Sequence, residues 1–213
     1  MLTVHCFTYN PFQENTYLLI NEKKECIIID PGCYFENERK EFLQYIHEND
    51  LSPVGLLNTH CHLDHIFGNK LSARTWKLEL EIHPLEQPVL DAAPQFGLMY
   101  NIPFEPSSPP ARFLEDGQQI VWGADRLEVI LAPGHSPGSV CFFCREQAFI
   151  ISGDVLFHES IGRTDLPGGD QDALLRSVRE KLYVLNEDVT VYPGHGSVTT
   201  IGHEKRHNPF VRC

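Results

Sequence analysis

The stretch Thr59-His60-Cys61-His62-Leu63-Asp64-His65 places three imidazoles and one carboxylate within six consecutive residues. It follows an apolar run that predicts a buried strand ending at the motif. On an extended backbone alternate side chains share a face, so His60 and His62 can bind one ion together. A helix that begins just after this pair would turn Asp64 and His65 toward a second position nearby. The stretch therefore predicts ligands for two adjacent metal ions.

Length and composition indicate one globular domain over residues 1–213. Hydrophobic residues make up 42% and charged residues 22% of the chain, which is ordinary for a globular protein. The net charge of -12, from 17 basic and 29 acidic residues, argues against a nucleic-acid partner, because phosphates need a basic surface.

No apolar run reaches membrane-spanning length, and the start carries no basic-then-apolar signal pattern. The seven cysteines are an odd number without a disulfide-like framework. These features predict a cytoplasmic protein with reduced thiols and no membrane partner, and they do not define its oligomeric state. Cys141 and Cys144 lie three apart in a predicted strand and so face opposite sides, which favours core positions over a zinc or redox pair.

The apolar patterns predict an α/β protein with sheets inside and helices outside. The first three strands are expected to form an antiparallel meander. Strands are predicted at residues 2–9, 16–21, 25–30, 54–58, 78–83, 118–122, 126–132, 139–144, 148–152 and 189–192. Helices are predicted at residues 36–49, 65–76, 85–90 and 170–185.

Residues 93–110 interrupt this pattern with five prolines among apolar and aromatic residues. Proline at that density predicts neither a regular helix nor a central strand. Because the apolar content argues against a solvated linker, we expect a loop over the functional site, with plain packing as the alternative.

Three later strands each end in a polar residue set among glycine or proline. These residues are His135, Asp154 and His195. Glycine permits a sharp turn and a close approach of the backbone to a site, and the preceding strand supplies a rigid base. The repetition of this design predicts that the three side chains complete the metal site.

The full pattern resembles the metallo-β-lactamase-fold hydrolase family across the whole chain. The resemblance implies a four-layer αββα sandwich with the metals at one edge. It also implies a ligand for each position: His60, His62 and His135 for the first metal, Asp64, His65 and His195 for the second, and Asp154 as the bridge. Zinc is the first choice for both metals, since imidazole and carboxylate suit it, and iron or manganese are possible.

Two cations close together lower the pKa of a bridging water and polarise a carbonyl group. Asp64 and Asp154 would orient that water as catalytic residues. The expected reaction is attack of a metal-bound hydroxide on an activated acyl group, such as a thioester, a lactone or a β-lactam.

Residues 161–170 and 199–210 resemble the short, single-domain branch similar to glyoxalase II. That branch implies a small thioester substrate such as S-lactoylglutathione, with Arg163 binding the glutathione carboxylate; a surface salt bridge is the alternative role for Arg163. The sequence departs from the larger enzymes at Asp165, where they have an aromatic substrate contact. Hydrolase chemistry is therefore better supported than specificity for glutathione.

Two other functions fit the same pattern. A persulfide dioxygenase uses one iron in a similar motif and also has a Gly-Arg-Thr-Asp stretch. A metal-binding module without catalytic activity is the more remote alternative. The sequence assigns no role to His83 or His158.

Overall fold

A computed structural model describes residues 1–212, which form two compact units. The N-terminal unit comprises Met1–Ile82 and Gln87–Phe113. The C-terminal unit comprises His83–Glu86 and the chain from Leu114 onward. Each unit contains a mixed sheet and helices, so the predicted α/β class is confirmed. Within residues 1–212 no helix is both long enough and apolar enough to cross a bilayer.

The N-terminal unit is built on a six-stranded sheet whose strands follow one another in chain order. The first three strands are antiparallel, as the predicted meander requires, and the later pairs are parallel. Parallel pairing needs a crossover, and a helix supplies it between the third and fourth strands. The strands are β1 (Thr3–Tyr9), β2 (Glu14–Ile20), β3 (Glu25–Ile29), β4 (Ser52–Leu57), β5 (Leu80–Ile82) and β6 (Arg112–Phe113).

Four helices accompany this sheet: α1 (Glu36–Glu48), α2 (Leu63–Ile66), α3 (Asn69–Trp76) and α4 (Gln87–Met99). Helix α1 matches its prediction and buries Phe42 and Ile46. Its first turn is closed by the Glu38 carboxylate, which accepts hydrogen bonds from the backbone N–H groups of Tyr34 and Phe35. Such a bond satisfies donors that have no partner within a helix.

The predicted helix over residues 65–76 is wrong in its continuity, because the structure divides it into α2 and α3. At the break, the Gly68 N–H donates to the Pro31 carbonyl oxygen at 2.6 Å. A side chain at Gly68 would lie 2.7 Å from Cys33 Sγ, so only glycine allows this approach. A contact with a distant turn therefore ends α2, and local periodicity does not contain that information.

The expectation that proline excludes a helix after residue 93 is also wrong, because α4 continues through Pro94. An interior proline costs a helix about 3 kcal/mol. Burial offsets this cost, since Leu90 and Ala93 lie in the core of the N-terminal unit and Val89 and Phe96 pack against it. Each buried leucine-sized side chain contributes about 2 kcal/mol. Tertiary packing decides the structure of this segment.

Beyond α4 the chain is irregular up to β6, as predicted. Ile102 and Phe104 pack against the core of the N-terminal unit, and the Phe104 ring lies 5.3 Å from that of Phe67. The Tyr34 hydroxyl donates to the Pro103 carbonyl oxygen at 3.2 Å. These contacts support the packing role, and a position over the functional site stays a prediction.

The C-terminal unit has a six-stranded sheet in the order β14-β13-β10-β9-β8-β7 and a separate two-stranded hairpin, β11-β12. Only the β10–β13 pair is parallel among the paired strands of residues 114–212. The strands are β7 (Gln119–Trp122), β8 (Asp125–Leu131), β9 (Val140–Cys144), β10 (Phe149–Gly153), β11 (Leu156–Phe157), β12 (Ser160–Ile161), β13 (Thr190–Pro193) and β14 (Thr199–Thr200). Cys141 and Cys144 are both buried in β9, which confirms the predicted core positions.

The helical parts of this unit are a 3-10 turn (Pro84–Glu86), α5 (Gln171–Ser177) and α6 (Ile201–His207). Helix α5 continues as a π-helical segment, Val178–Leu182. The helix predicted over 170–185 is therefore helical as expected, but it is not one regular α-helix. Strands β6, β11, β12 and β14 and helix α6 were not predicted. The strands have two residues each, too few to show a period of two.

Candidate metal centre

The predicted histidine cluster leaves β4 and continues into α2. The imidazole centroids of His60 and His62 lie 4.8 Å apart, and those of His60 and His65 lie 4.1 Å apart. His60 and His65 are fully buried. Three imidazoles this close together, with two removed from water, are typical of a metal site.

Asp30 connects the cluster to the end of β3. Its carboxylate accepts hydrogen bonds from Thr59 N at 2.7 Å, Thr59 Oγ1 at 2.5 Å and Asn58 Nδ2 at 3.1 Å. The same carboxylate lies 3.1 Å from Nδ1 of His65. Metal-binding histidines commonly direct the second ring nitrogen to a carboxylate, which fixes the ring and leaves Nε2 for the metal.

The sequence places Asp30 at the end of the strand predicted over residues 25–30 and predicts no role for it in the metal site. Asp30, His60 and His65 each offer one ligand atom, and these atoms all lie within 4.8 Å of one another. An acidic residue that directly follows an apolar strand and precedes Pro-Gly was the available signal. Asp30 belongs to the site as the residue that orients His65.

A second buried carboxylate, Glu14, lies on the same side of His65. Glu14 is fully buried, and its Oε1 is 3.9 Å from Nδ1 of His65. Burial, and then the nearby charge of Asp30, raise the pKa of Glu14 well above its usual value. Without a cation nearby, Glu14 therefore holds its proton, and a bound cation would favour its ionised form. The three clustered imidazoles are the ligands that zinc and similar ions bind. The donor set thus fits the predicted metal.

Asp64 is held through its backbone. Asn10 Nδ2 donates to the carbonyl oxygens of Asp64 and Gly32, both at 3.0 Å. A side chain at Gly32 would overlap the Glu14 carboxylate. The Asp64 carboxylate lies 3.7 Å from Nε2 of His65, so the predicted pair shares one location.

In the C-terminal unit the structure brings together the three donors that follow separate strands. Asp154 Oδ2 lies 3.4 Å from Nε2 of His135 and 3.6 Å from Nε2 of His195. His135 and Asp154 are buried, and the His195 side chain is 24% exposed. A carboxylate between two Nε2 atoms has the arrangement that a bridging ligand needs.

The orientation of His135 is set by the backbone. Its Nδ1 lies 2.7 Å from the Arg163 carbonyl oxygen, which can only accept, so Nδ1 carries the hydrogen and Nε2 faces Asp154. A side chain at Gly162 would overlap the Asp154 carbonyl oxygen. A side chain at Gly134, where φ is +136°, would overlap the backbone of Leu174.

Glu86 is a further buried residue of this unit that the sequence did not identify. Its carboxylate accepts hydrogen bonds from Ser136 Oγ and from Gly138 N, the latter at 2.7 Å. These bonds hold the turn that carries His135. His83 accepts a hydrogen bond from Leu85 N at 3.3 Å and so shapes the 3-10 turn that presents Glu86.

Arg163, predicted to bind substrate, makes an exposed ion pair. Its Nε and Nη2 donate to the Asp165 carboxylate at 2.6 and 2.7 Å. The hydrogen bond from Arg163 lowers the pKa of Asp165 to about 2. The salt-bridge alternative is what the structure contains, and the substrate role stays a prediction.

Proteins of similar sequence align with this chain over almost its whole length. It is 40% identical over 202 residues to the probable metallo-hydrolase YqgX of Bacillus subtilis, covering 94% of this chain and 93% of the relative. It is 35% identical over 212 residues to the hydroxyacylglutathione hydrolase GloC of Haemophilus influenzae, covering 99% and 98%. These relatives support a hydrolase.

Structural comparison agrees with the sequences. TTHA1623, whose crystal structure is of a di-iron-bound form, superposes with a TM-score of 0.88 at 36% identity over 97% of this chain and all of the other chain. This agreement confirms the predicted α/β metallo-β-lactamase fold. The sequence model of the Metallo-beta-lactamase superfamily matches residues 9–195, a range that includes every predicted ligand. The chain belongs to the metallo-beta-lactamase superfamily.

Proposed function

We propose that this protein is a dinuclear metal-dependent hydrolase of small thioesters, with 2-hydroxyacyl glutathione thioesters such as S-lactoylglutathione as its substrate class. The observation that carries this proposal is the 35% identity to a hydroxyacylglutathione hydrolase over 99% of the chain. The donor sets of the two units supply the chemistry that such a reaction needs.

In this proposal both donor sets serve one pair of metals. The family match includes both sets, and the di-iron form of TTHA1623 supports a dinuclear centre. Zinc is our first choice of metal, with iron or manganese as alternatives, because imidazole and carboxylate accept all three. The ligands would be His60, His62 and His135 for one metal and Asp64, His65 and His195 for the other, with Asp154 between them.

A bound pair of divalent cations supplies an activated water and a polarised carbonyl. The protein's own residues supply position and hydrogen bonds. Asp30 holds the His65 ring by Nδ1, and the Arg163 carbonyl oxygen holds the His135 ring in the same way. The Asp64 and Asp154 carboxylates accept hydrogen bonds from the attacking water and orient it toward the acyl carbon. The His65 and His135 rings are therefore held in place before the substrate arrives.

The test combines the metal content of the purified protein, by mass spectrometry, with hydrolysis of S-lactoylglutathione. We expect two metal ions per chain and turnover. One iron per chain, no thioester turnover and oxygen uptake with glutathione persulfide would instead identify a dioxygenase. Bound metal without either activity would identify a metal-binding module.

The Asp64→Ala variant tests the two-metal arrangement. We expect it to lose one metal ion and most of the activity while its circular dichroism spectrum is retained. Full activity in that variant would contradict the proposal. A second substrate carries the same acyl group on a thiol that lacks glutathione's carboxylates. Turnover of this substrate would report thioester hydrolysis alone, and a lower KM for the glutathione thioester would report recognition of glutathione.

A further inference from the structure

A second group of metal-binding side chains lies on the surface of the C-terminal unit. It consists of His158, Glu159 and His203, none of which takes part in the function proposed above. Their ligand atoms all lie within 4.8 Å of one another. Nε2 of His203 is 3.0 Å from Glu159 Oε1, and Nε2 of His158 is 4.0 Å from the same oxygen.

The two imidazoles of this group are oriented alike. The rings of His158 and His203 stack with centroids 4.9 Å apart and an interplanar angle of 18°. Because both Nε2 atoms lie within 4.0 Å of the same Glu159 oxygen, both rings direct Nε2 toward the carboxylate. Small side-chain rotations would bring all three atoms to about 2.1 Å from a common ion. The side chains are 34 to 50% exposed, so an ion can reach them from solvent.

The backbone fixes the two donors that lie on the hairpin. His158 and Glu159 form the two-residue turn between β11 and β12, and Glu159 has a φ of +53°. The Glu159 N–H donates to Glu204 Oε2 at 2.9 Å. This bond ties the turn to α6, the helix that carries His203.

A buried network keeps that tie rigid. Glu204 is fully buried, and its carboxylate also accepts from Thr199 Oγ1 at 2.6 Å and Asn208 Nδ2 at 2.8 Å. Asn208 Nδ2 donates further to the Ser160 carbonyl oxygen at 3.0 Å. The hairpin and α6 are thus joined through Glu204 and Asn208, so the backbone that carries the three donors is held in place without a metal.

We propose that His158, Glu159 and His203 form a separate binding site for a divalent transition-metal ion, with zinc as the first choice and cobalt, nickel or copper as alternatives. Two imidazoles and one carboxylate suit these ions and leave at least one position open to water. Binding requires neutral imidazoles and an ionised carboxylate, so the affinity for the metal should be lower at acid pH.

The experiment is equilibrium dialysis of the metal-loaded protein against micromolar zinc, followed by metal analysis. We expect one equivalent of zinc beyond the content of the catalytic centre. The double variant His158→Gln/His203→Gln should lose this additional equivalent and keep the catalytic metals. The His47→Gln variant is the control, because His47 belongs to no such group of donors among residues 1–212.

Four results decide whether the surface site binds metal as proposed. An additional equivalent that persists in the double variant would overturn the proposal, as would wild-type protein that binds none. In the Asp64→Ala variant the additional equivalent should remain although a catalytic metal is lost, so the surface site stands or falls independently of the proposed hydrolase. Calorimetric titration of the metal-loaded wild type with zinc should show one binding phase for the surface site, and the double variant should not show this phase.

Discussion

The two donor sets of this protein are built in opposite ways. In the N-terminal unit the donors follow one another within residues 60–65, and hydrogen bonds among side chains just after β3 and β4 hold them in place. In the C-terminal unit His135, Asp154 and His195 come from three turns, and tight backbone turns position them. The first set depends mainly on a buried hydrogen-bond network, and the second depends mainly on the absence of side chains at particular glycines, with Glu86 as a buried acceptor.

This difference determines how each set should fail. Loss of one acceptor in a buried network leaves several donors without partners, which lowers the free energy of unfolding. A methyl group added at a tight turn displaces a ligand directly and should lower metal content more than stability. The following variants separate these two behaviours, in decreasing order of expected effect.

Asp30→Ala should have the largest effect. It removes the acceptor for Thr59 and Asn58 and the partner of His65. The free energy of unfolding should fall by about 4 kcal/mol, measured by urea denaturation after chelation of metals. Asp91→Ala, on the exposed face of α4, is the control and should change it by about 0.5 kcal/mol or less. Equal effects of the two variants would show that the network does not stabilise this unit.

Gly162→Ala should affect metal content more than stability. The added methyl would overlap the Asp154 carbonyl oxygen and lie 3.0 Å from His135 Nδ1. We expect the free energy of unfolding to fall by about 2 kcal/mol and the bound metal to be lost. The matched variant is Gly117→Ala, where φ is +79° and nothing lies within 4 Å. Its free energy of unfolding should fall by about 1 kcal/mol, and it should keep its metal. Metal retention in both variants would contradict the role given to the Gly162 turn.

Glu86→Gln should have a smaller effect, because glutamine keeps the volume and one oxygen acceptor. Ser136 Oγ and Gly138 N then donate to a neutral oxygen, at a cost of about 1 kcal/mol. The apparent metal affinity should fall modestly, as measured by competition with a chelator. Glu86→Ala should cost more, since both donors lose their partner. Identical behaviour of the two variants would exclude a positioning role for Glu86.

The smallest effect concerns Arg163 and is visible only in kinetics. If Arg163 binds the glutathione carboxylate, Arg163→Ala should raise KM about fivefold with little change in kcat. The pKa of Asp165 is lowered to about 2, so Asp165 remains ionised through the neutral range and competes for Arg163 there. Asp165→Asn should therefore lower KM for the glutathione thioester. No change in KM for either variant would leave Arg163 as a surface residue.

The sequence predicted the elements whose signal is local. The meander β1–β3 and helix α1 show their periods within one segment, and both were found. The helix predicted over residues 85–90 ends too early, because the continuation of α4 through Pro94 depends on tertiary burial of residues such as Leu90 and Ala93. The break at Gly68 was missed because it depends on the Pro31 carbonyl, which lies 37 residues earlier in the chain.

The same limit applies to the site. His60, His62, Asp64 and His65 were predicted because they are adjacent, and the later donors because each stands in a similar turn. Asp30 and Glu86 act on partners 29 and 50 residues away, and one sequence does not show such pairs. An acidic residue directly after an apolar strand is the signal that comes closest to revealing Asp30, and Glu86 has no comparable signal.

The short segment His83–Glu86 has a consequence for any attempt to divide the protein. It belongs to the C-terminal unit although the chain on both sides of it belongs to the N-terminal unit. A cut after Phe113 would give a second fragment that lacks Glu86 and therefore the acceptor that holds the His135 turn. Complementation of two such fragments would require the first to donate this segment to the second. In a chimera of two relatives, residues 83–86 should accordingly come from the same parent as the chain from residue 114 onward if activity is to be preserved.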